Sequence, residues 1–145
     1  MIVDLPNLQA VAQFGQHIAA RLTAGDVVAL SGTLGAGKTT LARSIIAACG
    51  HDGEVPSPTF TIIETYDGCT PPLVHADFYR LDSPAEAAEL GLDDYREGNA
   101  LIAEWPERAG GFAHEPGCLN LKLEVRGEGR QAIVQPGEAW LKRWP

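Results

Sequence analysis

Val27-Val28-Ala29-Leu30-Ser31-Gly32-Thr33-Leu34-Gly35-Ala36-Gly37-Lys38-Thr39-Thr40-Leu41-Ala42-Arg43 is the stretch whose reading decides the fold. Its first five residues are apolar and rich in valine, which reads as a short buried strand. Residues 32–39 follow the phosphate-binding pattern of glycine, four residues, then Gly-Lys-Thr. From Lys38 apolar residues return at helical spacing through Leu41, Ala42, Ile45 and Ile46 to Cys49. Strand, glycine loop and helix in that order are what phosphate binding requires, because loop amides and a helix N-terminus together surround the oxygens. Gly32, Gly35 and Gly37 let the backbone turn its amides inward where a Cβ would obstruct, so Gly35, Ala36, Gly37, Lys38, Thr39 and Thr40 form the candidate phosphate cradle. Lys38 can reach the β- and γ-phosphates, and the Thr39 hydroxyl can bind Mg2+. The plain alternative is an ordinary glycine turn with an exposed lysine.

Working outward, residues 8–22 place Leu8, Val11, Ala12, Ile18, Ala19 and Leu22 on one face, an amphipathic helix capped by Asn7. Two prolines keep residues 55–58 out of a helix. Residues 60–66 and 73–77 read as neighbouring strands around Asp67-Gly68. Ser83 with Pro84 and Glu86 opens a capped helix that Gly91 stops, and residues 100–104 form another apolar run ending in an acid. Residues 119–126 and 131–135 form a hairpin around Gly127-Glu128-Gly129, and the chain closes on a short helix carrying Trp140 and Trp144. Strands interleaved with helices imply an α/β fold: a P-loop NTPase-like three-layer sandwich whose mixed sheet is largely parallel with antiparallel edge strands.

The chain has 145 residues, enough for one core, and reads as a single domain over 1–145. Its net charge of −8 has the wrong sign for gripping nucleic-acid phosphates unaided. No apolar run is long enough to span a bilayer and the N-terminus lacks the pattern of a signal peptide, so the expected location is the cytoplasm, with no membrane contact. Cys49, Cys69 and Cys118 are odd in number and never paired as Cys-x-x-Cys, so reduced thiols are expected. They share no recognisable metal-ligand spacing with His51, His75 or His114.

A P-loop does not specify the base or the reaction. Guanine-specific proteins carry Asn-Lys-x-Asp and Asp-x-x-Gly, and neither string occurs, which favours ATP. A further acid must hold or orient the magnesium shell, usually at a strand end. Asp77 and Glu104 both have that form and the residues alone do not rank them; either also fits a helix cap or a solvated carboxylate. Thr59, between Pro58 and Phe60, fits a switch loop whose hydroxyl completes the shell, or simply a stiff connection. Trp105 reads as core packing more readily than as a ligand stack, and His75 as a satisfied core histidine. Arg80 and Arg108 could meet phosphate or a partner's carboxylate, although lone arginines are usually surface residues.

The set of strings resembles the bacterial ATPase family required for threonylcarbamoyladenosine modification of tRNA, called TsaE and formerly YjeE. The resemblance runs from about residue 8 to 126 and rests on Leu34 to Arg43, Val55-Pro56-Ser57-Pro58-Thr59-Phe60, His75-Ala76-Asp77-Phe78-Tyr79-Arg80, Glu89-Leu90-Gly91-Leu92-Asp93 and Glu104-Trp105-Pro106-Glu107. A generic P-loop protein has no reason to own all of these. The resemblance implies that Lys38 and Thr39 hold phosphate and magnesium, and that Ser57 to Phe60, including Thr59, form a switch-like loop. It further implies that Asp77 is the strand-end acid of hydrolysis, that Glu104 orients magnesium or water, and that Trp105 lies near the nucleotide. Thr33 stands where the family commonly has an acid, a variable loop position.

The implied activity is hydrolysis of ATP with Mg2+, slow without partners. The implied partners are the catalytic subunit that transfers the threonylcarbamoyl group (TsaD) and its paralogue (TsaB), with tRNA met only indirectly. Hydrolysis would serve turnover of that complex. The rival readings are a small-molecule kinase, which needs lid arginines where residues 82–101 offer only Arg96, and a nucleotide-gated adaptor without meaningful hydrolysis.

Overall fold

The computed structural model describes residues 1–56 and 62–144. In chain order the elements are β1 (Ile2–Leu5), α1 (Leu8–Ala19), β2 (Val27–Ser31), α2 (Lys38–Ala48), β3 (Ile63–Tyr66), β4 (Leu73–Asp77), α3 (Ala85–Glu89), α4 (Leu92–Arg96) and β5 (Ala100–Glu104). A short 3-10 helix (Pro106–Ala109), β6 (Cys118–Arg126), β7 (Gly129–Pro136) and α5 (Glu138–Leu141) complete the chain. The strands form a seven-stranded sheet in the order β1-β7-β6-β2-β5-β4-β3. Its centre, β6-β2-β5-β4, is parallel; β3, β7 and β1 are added antiparallel at the edges. The expected mixed, largely parallel sheet is therefore what the chain builds.

Helices cover both faces, because each central strand is buried on both sides and needs apolar cover twice. Val28 and Leu30 of β2, Leu73 of β4, and Ala100 and Ile102 of β5 face one core with the inner stripes of α1 and α2. Their alternating neighbours Val27, Ala29, Val74, Ala76, Leu101 and Ala103 face a second core with Phe78, Ala87, Leu92 and Phe112. The period of two along each strand thus assigns every strand residue to one face.

Several expectations needed correction. α1 ends at Ala19, and its inner stripe is Val11, Phe14, Gly15 and Ile18, whereas Leu8 is exposed. The reason is Gly15: an added Cβ there would lie 2.6 Å from Ser44 Cβ, so the helices cross at the glycine and the stripe turns to face that crossing. Asn7 caps α1 as expected, its side chain accepting from the Ala10 amide at 2.9 Å. At residue 83 the anticipated cap differs: α3 starts at Ala85, and the Glu86 carboxylate accepts from the Asp82 amide at 3.0 Å while the Ser83 carbonyl accepts from Glu86. β1 and α4 were not anticipated, and Trp144 lies just beyond α5. No helix among the described residues is long and apolar enough to cross a membrane.

Candidate functional site

The loop between β2 and α2 turns through left-handed backbone at Gly32, Gly35 and Gly37, with φ of 136°, 79° and 97°. At Gly32 a Cβ would stand 2.4 Å from the Leu123 carbonyl oxygen, so the first glycine is fixed by β6 as well as by its own dihedral. Gly37 ends the loop and Lys38 begins α2. The Lys38 ammonium is drawn back over the loop, donating to the Gly32 and Thr33 carbonyls at 2.8 Å each, and lies 4.5 Å from the centre of the Trp105 ring. Burial pulls its pKa below the ordinary lysine value, opposed by the nearby Glu104, Asp77 and Glu107 carboxylates.

Both candidate acids reach this loop, and the sheet explains why. β4 and β5 are parallel neighbours with Asp77 opposite Glu104, both at C-terminal strand ends beside the N-terminus of α2. Counting by twos, Leu73, His75 and Asp77 share a face with Ile102 and Glu104, and that face is the one α2 covers. Glu104 is 2% exposed and accepts from the Thr39 hydroxyl at 2.7 Å through one oxygen. Its other oxygen meets His75 Nε2 at 2.6 Å. Asp77 accepts from the Tyr79 amide at 3.0 Å. Burial pushes the Asp77 carboxyl above the usual carboxylate range; Glu104 adds to this, while the Tyr79 amide, His75 and Lys38 oppose it.

Leu34, Gly35, Gly37, Lys38, Thr39, Thr40, Asp77, Glu104 and Trp105 surround a cavity of about 320 Å3. Of the residues expected there, Ala36 alone among those described turns inward, fully buried, its amide donating to the Thr33 carbonyl at 3.1 Å. Thr59 and the rest of the expected Ser57 to Phe60 switch lie outside the described residues. Trp105 has φ of 56°, left-handed backbone that a bulky side chain avoids. That turn swings its ring between the Lys38 ammonium and the Tyr79 ring, whose centre is 4.9 Å away. Arg108 stacks on Tyr79 at 5.0 Å, and Arg80 is exposed.

Two features escaped the sequence. Arg130 of β7 lines the same cavity and donates to the Gly35 carbonyl at 3.1 Å. No spacing rule ties a hairpin residue to a loop so far back in the chain, and only the β6–β7 pairing brings it there. His75 was read as a satisfied core histidine, yet it bonds Glu104, and its Nδ1 is buried with no partner among the described residues. Its period-two relation to Asp77 was the available signal. A second, larger and mainly apolar cavity of about 640 Å3 adjoins the first at Gly37, Thr40 and Arg130, walled by Leu5, Val11, Leu41 and Leu123.

The donor set fits a small hard cation: a hydroxyl and two carboxylates beside a phosphate-sized space. Mg2+ characteristically takes one or two carboxylates and fills its shell with water and phosphate.

Comparisons with known proteins place the chain in a family. The family described as "Threonylcarbamoyl adenosine biosynthesis protein TsaE" matches residues 5–133. The "tRNA threonylcarbamoyladenosine biosynthesis protein TsaE" of Rickettsia felis is 36% identical over 128 residues, covering 88% of this chain and 74% of that protein. The protein of the same description from Nostoc sp. is 37% identical over 141 residues, covering 92% and 85%. The crystal structure of Bacillus subtilus YdiB superposes with a TM-score of 0.80 at 26% identity, covering 99% of this chain and 90% of that one. With nearly its whole length matched by the family and its sheet matched by a solved structure, this chain belongs to the TsaE family.

Proposed function

We propose that the chain is a one-domain ATPase that binds ATP with Mg2+, hydrolyses it slowly when alone, and serves the threonylcarbamoyladenosine modification of tRNA as an accessory subunit. The observation that carries this reading is the convergence of Lys38, Thr39, Asp77 and Glu104 on one cavity at the P-loop. The β- and γ-phosphates would lie against the amides of residues 35–40, with Lys38 leaving its loop carbonyls for phosphate oxygens. Thr39 and Glu104 would hold Mg2+, which when bound neutralises charge on the β- and γ-oxygens. The adjoining apolar cavity between Leu5, Val11, Leu41 and Leu123 is our candidate for the adenine, leaving Arg130 between base and phosphates.

Asp77 would orient a water in line with the γ-phosphorus. The water oxygen bonds to phosphorus as the bond to the bridging oxygen breaks, ADP leaves with that electron pair, and the water proton ends on phosphate. The −8 charge suits a protein partner better than bare tRNA, and we take the transferase subunit and its paralogue as those partners. The kinase reading loses ground because Arg96, the one arginine between residues 82 and 101, is held by Glu115.

The test is phosphate release from ATP, measured alone and with the two partner proteins, with Lys38→Ala as the blank. Slow release that rises with partners and vanishes in the blank supports the reading. Rapid release by the chain alone refutes the dependence on partners, and tight ATP binding without hydrolysis under any condition makes the chain an adaptor.

A further inference from the structure

His75 lies in the middle of β4 and is fully buried, where an aliphatic side chain would pack without polar atoms to satisfy. Its Nδ1 has no partner among the described residues, so the imidazole carries a desolvation cost that core packing does not explain. What the ring does make is the 2.6 Å contact from Nε2 to Glu104. β4 and β5 run parallel with His75 beside Ile102, which sets His75 diagonally across from Glu104, two residues farther along β5. Glu104 thus has two anchors, the Thr39 hydroxyl on one oxygen and His75 on the other. A carboxylate held at one oxygen can still rotate about its last bond; held at both, its plane is fixed.

We infer that His75 is a positioning residue: by donating from Nε2 it fixes the plane of the Glu104 carboxylate, so that the remaining lone pairs of that acid, beside Thr39, face the space where Mg2+ and phosphate would sit. This rests on the proposed binding of ATP with Mg2+ and deepens it. Outer partners of this kind raise the effectiveness of an oxygen ligand by fixing its orientation, and their loss typically weakens metal binding or activity by about 10- to 100-fold. His75 touches neither nucleotide nor water in this scheme and acts only through Glu104.

The experiment compares ATP affinity with Mg2+ against ATP affinity in a chelator, by calorimetry, for the parent chain and for His75→Leu, His75→Asn and His75→Gln. Glutamine can place an N–H near Nε2; asparagine is polar but too short; leucine has no donor. The expected result is that chelator affinity stays within about threefold in all four proteins, while the tightening by Mg2+ falls about tenfold or more in the leucine and asparagine variants. His75→Gln should retain most of the tightening. Circular dichroism certifies folding, and if His75→Leu fails to fold, the asparagine variant carries the comparison with glutamine. Unchanged tightening in the leucine and asparagine variants overturns the inference, as does a glutamine variant that loses as much as asparagine. A parent chain with no Mg2+-linked tightening refutes the proposed function itself and is recognised as such because it needs no variant.

Discussion

Gly15→Ala sets two effects of similar size against each other, and the structure decides which wins. By helix propensity alone, replacing a mid-helix glycine with alanine stabilises by about 1 kcal/mol. At Gly15, however, the new Cβ would lie 2.6 Å from Ser44 Cβ, 3.0 Å from the Ser44 carbonyl carbon and 3.1 Å from the Ile45 amide nitrogen. Carbon atoms rest at about 3.5–4.0 Å, so roughly 1 Å must be recovered. Rotating Ser44 recovers none of it, because Cβ and backbone do not move with χ1. α1 and α2 must separate, although Ile18, Ile45 and Ile46 between them are fully buried. Overpacking of this kind costs about 1–3 kcal/mol before the propensity gain, and the backbone contacts put it at the upper end, leaving about 1–2 kcal/mol of net destabilisation. For a domain of this size that lowers Tm by roughly 3–8 °C. Thermal and urea unfolding followed by circular dichroism measure it. In the background of Ser44→Gly, which removes the 2.6 Å contact, the penalty for Gly15→Ala should shrink, a coupling that a double-mutant cycle isolates. A Tm unchanged or raised by Gly15→Ala would refute the reasoning that the helix crossing, and not local propensity, fixes this glycine.

Asp77→Asn should stabilise the fold at neutral pH while abolishing ATP turnover. The folded pKa of Asp77 is raised, so the native state holds the proton more tightly, and stability falls as pH rises from the ordinary value of 3.8 through the folded value; the gain from asparagine, read in melts across pH, should disappear below that window. Arg96→Met should cost about 1 kcal/mol at neutral pH, since its two hydrogen bonds to Glu115 are only partly exposed. Those bonds hold the Glu115 pKa below its ordinary 4.5, so this contribution is present above 4.5 and lost as pH falls through the lowered folded value, where parent and variant should converge. Arg130→Ala should leave Tm within a few degrees and weaken ATP binding about tenfold or more, the loss of one charge-assisted contact to phosphate; undiminished affinity would remove Arg130 from the site.

What the sequence made legible follows from the range of the physics involved. The P-loop and the flanks of β2 and α2 are contiguous, and glycine, lysine and threonine at those positions state their own reasons. The apolar runs of β4 and β5 end in acids, so Asp77 and Glu104 were both visible as candidates. The sheet adds what the sequence does not state: it sets them opposite each other and places Glu104 within hydrogen-bond reach of Thr39. β1 was invisible because its four residues carry no turn signal and exist as a strand only by pairing with β7, more than 120 residues on. Arg130 was missed for the same reason. Leu8 was misread because periodicity predicts which face of a helix is apolar but not the angle at which a glycine lets a second helix cross it.

Several residues that break local rules lie together on β4, at the end of β5 and just beyond it. Trp105 holds left-handed backbone, His75 carries a buried nitrogen with no partner among the described residues, and Asp77 and Glu104 are buried acids. Backbone strain of the Trp105 kind costs about 1–3 kcal/mol, and it persists only where surroundings over-determine it. Here they do: the Trp105 amide donates to the Leu30 carbonyl at 3.2 Å, Pro106 follows at the start of a 3-10 helix, and the ring is bounded by Lys38 and Tyr79. Residues 27–30 and 100–103 of the neighbouring strands β2 and β5, packed into the two apolar cores, supply the rigidity that holds these groups in place. An aliphatic residue at 75 and an unstrained one at 105 would suit a P-loop sheet whose only task was to fold. Their departure from that pattern, around the cavity that Lys38 and Thr39 open onto, is the physical ground for reading this end of the molecule as the site.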